Sequence, residues 1–231
     1  MKLPTPKTQS AFTLIELLVV ISIIAILAGI ALPVFSEVQI KGAQANVLSN
    51  AKQVGLACKL WGEDYSGTYP GYELDQNNKI TSKQLSDSNA VFAQLFEAGY
   101  MKTEKIFYCP KSKFTPIPPD EKFTNSGDIL KQGENHFAYV LGNNSTSNAN
   151  FPLIADGFAS EGSHTYDKDP EKKGGVWKGK KAIVVHCDNS AEIALLNKQL
   201  KVPGNPATGD DLFATGVPDW MGADSKVVNP K

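Results

Sequence analysis

The strongest pattern along the chain is a break in polarity near its start. Residues 1–11 are polar and carry Lys2 and Lys7 with no acid. Residues 12–35, Phe-Thr-Leu-Ile-Glu-Leu-Leu-Val-Val-Ile-Ser-Ile-Ile-Ala-Ile-Leu-Ala-Gly-Ile-Ala-Leu-Pro-Val-Phe, are apolar with one charge, Glu16. A helix needs about 20 such residues to cross a bilayer core, and a helix satisfies its own backbone there. Roughly fifteen strongly apolar residues at about −0.3 to −0.6 kcal/mol each outweigh one carboxylate costing about 3 kcal/mol at most, so insertion wins.

From residue 36 the pattern turns mixed. Val47, Ala51, Val54, Cys58 and Trp61 recur at spacings of three and four, with Lys52 and Lys59 off that stripe. This predicts one helix over residues 13–62, on the order of 75 Å long, whose outer half is amphipathic. Pro33 is a predicted kink, and Gly29 and Gly42 are weak points. Residues 63–71 read as a turn-rich exit. Val91, Phe92, Leu95 and Phe96 mark a second helix over 88–98, stopped by Gly99. Residues 106–110 form a short apolar segment closed by Pro110, and 111–134 a polar, proline-bearing surface loop. Residues 137–141 and 153–155 read as strands, with an Asn- and Ser-rich loop at 143–148. Residues 181–196 are the clearest hairpin, with Asp188-Asn189 as a two-residue turn of positive φ. The last 29 residues, from Pro203, read as irregular. The predicted sheet has one apolar face, and the 47–61 stripe is its available cover.

The segment Ser10-Ala-Phe-Thr-Leu-Ile-Glu-Leu-Leu-Val-Val-Ile resembles the N-terminal cleavage and methylation motif of type IV prepilins and type II secretion pseudopilins, the major pseudopilin among them. The resemblance implies cleavage by a prepilin peptidase between Ala11 and Phe12 and methylation of the new Phe12 amine. It also implies a role for Glu16 in assembly, and Pro33 stands where many of these helices carry a proline. Ala11 departs from the Gly usual before the cut. Leu60-Trp-Gly-Glu-Asp-Tyr-Ser-Gly-Thr-Tyr-Pro and Cys109-Pro110 are similar to the family as well. A related His-x9-Asp-Gly pattern is changed here to Lys178 and Asp188-Asn189, so any role of that His does not transfer.

The implied fold is α+β and pilin-like, a long N-terminal helix packed on a small antiparallel sheet. Four parts follow: a cytoplasmic leader (1–11), a transmembrane helix half (12–35), an amphipathic half (36–63) and a periplasmic or extracellular head (64–231). Positive charge ahead of the span keeps the N-terminus cytoplasmic, and no signal-type cleavage site follows the span. The implied partners are further copies or other pilin-like subunits through the helix, prepilin peptidase, an inner-membrane assembly platform and the bacterial inner membrane. A carboxylate inside a membrane segment calls for a cation, and in a bundle of such helices the nearest is a neighbour's Phe12 amine. The alternative for Glu16 is snorkelling to the headgroups.

Composition narrows the rest. Net charge is −1 over 231 residues with the charges interspersed, which does not suggest nucleic acid. Cys58, Cys109 and Cys187 are too few and too far apart for zinc; one disulfide is allowed, of open pairing. Glu63 and Asp64 lack calcium-loop spacing and read as solvated. His186-Cys187-Asp188 are catalytic residue types, but strand neighbours point to opposite faces. His136 and His164 have no second ligand at metal spacing, and nucleophile-elbow, P-loop and zinc-protease motifs are absent. The reading is therefore a non-enzymatic filament subunit without cofactor or metal, the alternative being an anchored binding module that does not polymerise.

Overall fold

The computed structural model describes residues 13–115, 117–123, 127–160, 162–205, 209–216 and 220–231, apart from the side chain of Pro33. The expected leader, Ala11 and Phe12 lie outside the described residues. The chain divides into two compact units, residues 1–42 and 43–231. Helix α1 covers Leu14–Asp64 and stays helical through position 33. The architecture is α+β and pilin-like: a long N-terminal helix followed by small antiparallel sheets.

In the second unit, β1 (Tyr72–Leu74) and β2 (Ile80–Gln84) form a hairpin, followed by α2 (Ser88–Glu97). Asp87 caps α2 by accepting the Ala90 amide at 3.0 Å. The main sheet contains β3 (Phe137–Leu141), β4 (Pro152–Asp156), β5 (Lys181–His186), β6 (Ala191–Leu195) and β7 (Lys226–Val228). Its order is β6-β5-β4-β3-β7, every pair antiparallel.

The predicted stripe on α1 is the helix's buried face, with Val47, Ala51, Val54, Cys58 and Trp61 all at most 2% exposed. It meets the sheet closely. A Cβ on Gly55 would lie 3.1 Å from Val185 Cγ1 and 2.5 Å from Asn189 Oδ1. Phe92 of α2 stacks edge-on against Tyr139 at 5.6 Å, and tilts against Phe107 at 5.0 Å.

Four expectations are corrected. The sheet is apolar on both faces: Ala138, Val140, Ala155, Ala182, Val184 and Val227 pack against Phe158, Tyr166, Val202, Leu212, Phe213, Trp220 and Met221. The tail from Pro203 is therefore no loose end. It supplies core side chains and the edge strand β7. The β1–β2 hairpin was not read from the sequence, because its strands are short and half polar. The 187–189 turn has three residues instead of two. His186 N–H donates to Ser190 O at 2.9 Å, and of the loop residues Asn189 takes positive φ (69°). Asn78 (φ 58°) does the same in the β1–β2 loop, where Asp75 N–H donates to Lys79 O at 2.8 Å. Both are hairpins closed by a residue in the left-handed region after a turn. The 111–134 loop is also less superficial than expected, since Ser112, Thr115, Ile129 and Leu130 are buried.

Replacing Gly55 by Leu should lower the stability of the detergent-solubilised chain by about 1–3 kcal/mol, because the helix has no room to retreat from the hairpin. Gly42→Ala, where an added Cβ meets nothing within 4 Å, should be neutral or stabilising by up to about 1 kcal/mol. Urea denaturation followed by tryptophan fluorescence separates the two; equal effects would refute close packing at Gly55.

Candidate functional site at the start of the long helix

The first turn of α1 is built by Thr13-Leu-Ile-Glu16. Glu16 Oε2 accepts the Thr13 N–H at 2.8 Å and the Thr13 hydroxyl at 2.7 Å. The Glu16 N–H donates back to Thr13 Oγ1 at 3.3 Å. This is a capping box, in which two otherwise unpaired backbone donors are satisfied reciprocally. The carboxylate also sits at the positive end of the helix dipole. Sequence reading picked out Glu16 and missed Thr13. The signal was present, since Thr-x-x-Glu ahead of an apolar run is a capping-box pattern.

Beyond this turn every Leu, Ile, Val and Phe from position 14 to 35 is exposed. Ser22 turns its hydroxyl onto Leu18 O at 2.8 Å, so its polar group is satisfied inside the helix. Among the described residues this one helix is long and apolar enough to cross a membrane. An apolar surface on all sides of a helix calls for lipid or other helices around it.

The polar groups of the head singled out in the sequence make separate contacts among the described residues. His186 Nδ1–H donates to Asn150 O at 2.9 Å. Burial pushes the Cys187 thiol up to about 12. Asp188 is held below the usual carboxylate range by its hydrogen bonds to Ser190. These three neighbours thus face separate tasks. His136 is buried, with Nε2 2.8 Å from Asp156 Oδ1. Trp177 Nε1–H and Ile183 N–H both donate to Asp156 Oδ2 at 2.7 Å. His164 Nδ1 and Lys201 Nζ lie 3.1 and 2.9 Å from Asp211 Oδ2, which ties the tail to the 158–166 loop. Glu63 is exposed, and Asp64 accepts the Tyr100 hydroxyl. The three cysteines are free and buried. No three His, Cys, Asp or Glu side chains converge as a metal site among the described residues.

Comparison with known proteins bears on the same end of the chain. Residues 6–32 match the prokaryotic N-terminal methylation motif. No curated protein and no solved structure matches the chain. The match covers the second half of the polar start, Ala11, Phe12, the Thr13–Glu16 cap and most of the apolar run. It supports the type IV prepilin and pseudopilin resemblance, and with it a pilin-like substrate of prepilin peptidase. The apolar helix fits membrane anchoring.

One carboxyl in the head is unusual. Glu104 is fully buried; Oε1 accepts the Leu130 N–H at 2.9 Å, while Oε2 has no partner among the described residues. Burial, followed by the carboxylates of Glu134 and Asp120, raises its pKa above the ordinary value. The unfolded chain ionises this group at the ordinary value, so Glu104 lowers stability as pH rises beyond it. Glu104→Gln should therefore raise the melting temperature at neutral and alkaline pH. The gain should vanish below the ordinary carboxylate range. A pH-independent difference would show that charge is not the cause.

Proposed function

We propose that the chain is a membrane-anchored structural subunit that polymerises through α1 into a type IV pilus-like or type II secretion pseudopilus filament. Prepilin peptidase cuts between Ala11 and Phe12 on the cytoplasmic side of the inner membrane, and the Phe12 amine is methylated. The apolar helix half holds the subunit as a single-pass protein with a periplasmic head until the assembly platform extracts it. Pro33 has no amide for the carbonyl four residues back and sets the bend of the anchor.

The observation that carries this reading is the capped carboxylate at the start of the apolar stretch of α1, whose Leu, Ile, Val and Phe side chains from 14 to 35 are all exposed. A cap is worth about 1 kcal/mol. A carboxylate in the membrane interior costs up to about 3 kcal/mol. Capping offsets part of that cost, and a cation would cover the remainder. The span contains no Lys or Arg. In a bundle of cleaved subunits the Phe12 ammonium of a neighbour is the nearest source, and at this depth the contact is far less screened than in water. It fixes axial register, which apolar packing leaves free to slide.

Two measurements test this. Co-expression with a prepilin peptidase should give an intact mass lacking residues 1–11, and retention of those residues would refute the processing step. Glu16→Ala should reach the membrane and be cleaved at normal levels, yet fail to enter sheared or cross-linked filaments. Thr13→Ala, which loosens the carboxylate without removing it, should assemble with intermediate efficiency. Normal assembly of Glu16→Ala would remove the need for pairing and favour an anchored binding module.

A further inference from the structure

Two of the three cysteines meet in the seam between α1 and the main sheet. Tyr139, Ile154 and Val185 are Cα partners in one row across β3, β4 and β5, so they project on one face. A Cβ on Gly55 of α1 would lie 3.1 Å from Val185 Cγ1, which makes this the face that α1 covers. Cys187 stands two residues beyond Val185 and is still tied to β4's side of the ladder, its N–H donating to Phe151 O at 2.9 Å. Side chains two apart on a strand share a face, so Cys187 turns toward α1. Asn189 Oδ1 would lie 2.5 Å from the same Gly55 Cβ, so Val185 and Asn189 bracket Cys187 beneath the helix. Cys58 follows Gly55 by one helical turn on the buried stripe.

Neighbouring side chains register both sulfurs at once. Burial, then Cys58 and Cys187, push the Tyr139 hydroxyl well above its ordinary value. Burial, then Cys187 and Cys58, push Tyr69 up to about 12. Burial raises the Cys58 thiol most, and Cys187 raises it further. Cys109 lies elsewhere, within reach of the Asp156 charge. A disulfide requires Cα atoms about 4.4–6.8 Å apart, and the missing side chain of Gly55 lets the helix come in close one turn away. Both thiols are free in the structure, which therefore describes the reduced form.

We propose that Cys58 and Cys187 are the disulfide pair of this head, a covalent staple between α1 and the β5–β6 hairpin that Cys109 does not join. The two thiols give up two protons and two electrons as the S–S bond forms, and a disulfide oxidant takes them and leaves as two thiols. The bond forms while the seam is still open, because in the closed seam burial keeps both thiols un-ionised and out of reach. The staple closes the loop 58–187 and holds the helix on the sheet when α1 is pulled. Its use in the cell rests on the proposed periplasmic head, since such oxidants act outside the cytoplasm.

The full chain is denatured and reduced, then refolded in detergent with a glutathione buffer that contains or lacks the oxidised form. Remaining thiols are alkylated after denaturation and mapped by mass spectrometry. With oxidant, alkylation is expected at Cys109 alone, together with a linked pair of peptides carrying Cys58 and Cys187. The melting temperature should rise by roughly 5–15 °C over the reduced chain. Cys109→Ala should staple as the parent does. Cys58→Ala and Cys187→Ala should each leave both remaining thiols alkylated and the melting temperature indifferent to oxidant. Oxidant added to the already folded, reduced chain should act at least about tenfold more slowly than during refolding, and equal rates would overturn bond formation in the open seam. A bond from Cys109 to either partner overturns the pairing. So does a bond found only between two chains, or three alkylated thiols in an oxidant-treated chain that has regained the melting transition of the reduced protein. The same mapping on chain made in cells with its export machinery, alkylated before lysis, tests the premise by itself. A chain that staples on refolding but carries three thiols in the cell keeps the pair and refutes the periplasmic head.

Discussion

The head depends on the seam between the outer half of α1 and the main sheet. Its five stripe residues lose essentially all contact with water. Full burial of each large apolar side chain contributes on the order of 1.5–3 kcal/mol, which is large against the roughly 5–15 kcal/mol net stability of an ordinary domain. The division of the chain at residues 42 and 43 follows from this. The helix from position 43 onward belongs with the sheet because its apolar face has no other cover in that unit. Gly55 marks the closest approach. Its missing side chain lets the helix sit against Val185 and the hairpin turn, and the turn geometry set by Asn189 is part of the same fit.

The opposite face of the sheet is sealed differently. Side chains from the irregular stretch after β6 cover it, and Asp156 fixes the end of β4 by taking donors from His136, Trp177 and Ile183. A buried carboxylate is costly unless its oxygens are occupied, and three donors within 2.8 Å meet that requirement. This explains how residue types that look chemical can be structural. Removing any one donor leaves the acid short of partners in a place that water does not reach. The buried thiols belong to the same logic. Desolvation holds Cys109 and Cys187 near 12, so they pack as small apolar groups instead of acting as nucleophiles.

These two faces show what the sequence could disclose. The stripe on α1 was legible because period and helix agree over several turns, and α2 and β3 were legible for similar reasons. The tail was not. Val202, Leu212, Phe213, Trp220 and Met221 are scattered among Gly, Pro and Asp with no period, so nothing local marks them as core; only the sheet behind them does. The 187–189 loop sat between these cases. Asn189 announced positive φ, but loop length depends on strand register, which sequence alone left open. At the N-terminus the apolar run and Glu16 stood out at once, while Thr13, which orients Glu16 within its own chain, did not, because a lone hydroxyl beside an apolar run carries no charge to mark it.

The Thr13 cap bears on how a single carboxylate would serve both a lone subunit and the proposed filament. In the structure one oxygen of Glu16 takes both Thr13 donors, and a carboxylate has further lone pairs to offer. Cis capping and trans pairing therefore need not compete for the same sites. The cap confines the side chain to the helix start before any neighbour arrives, so the entropy of ordering it is already spent when a neighbour's ammonium approaches. A carboxylate left to snorkel would face outward toward the headgroups and would have to be re-ordered on each encounter. On this view Thr13 gives the motif its geometry and Glu16 its charge. In the proposed filament the rest of this helix half needs no further charge, because the polar contact that would set register is held at its first turn.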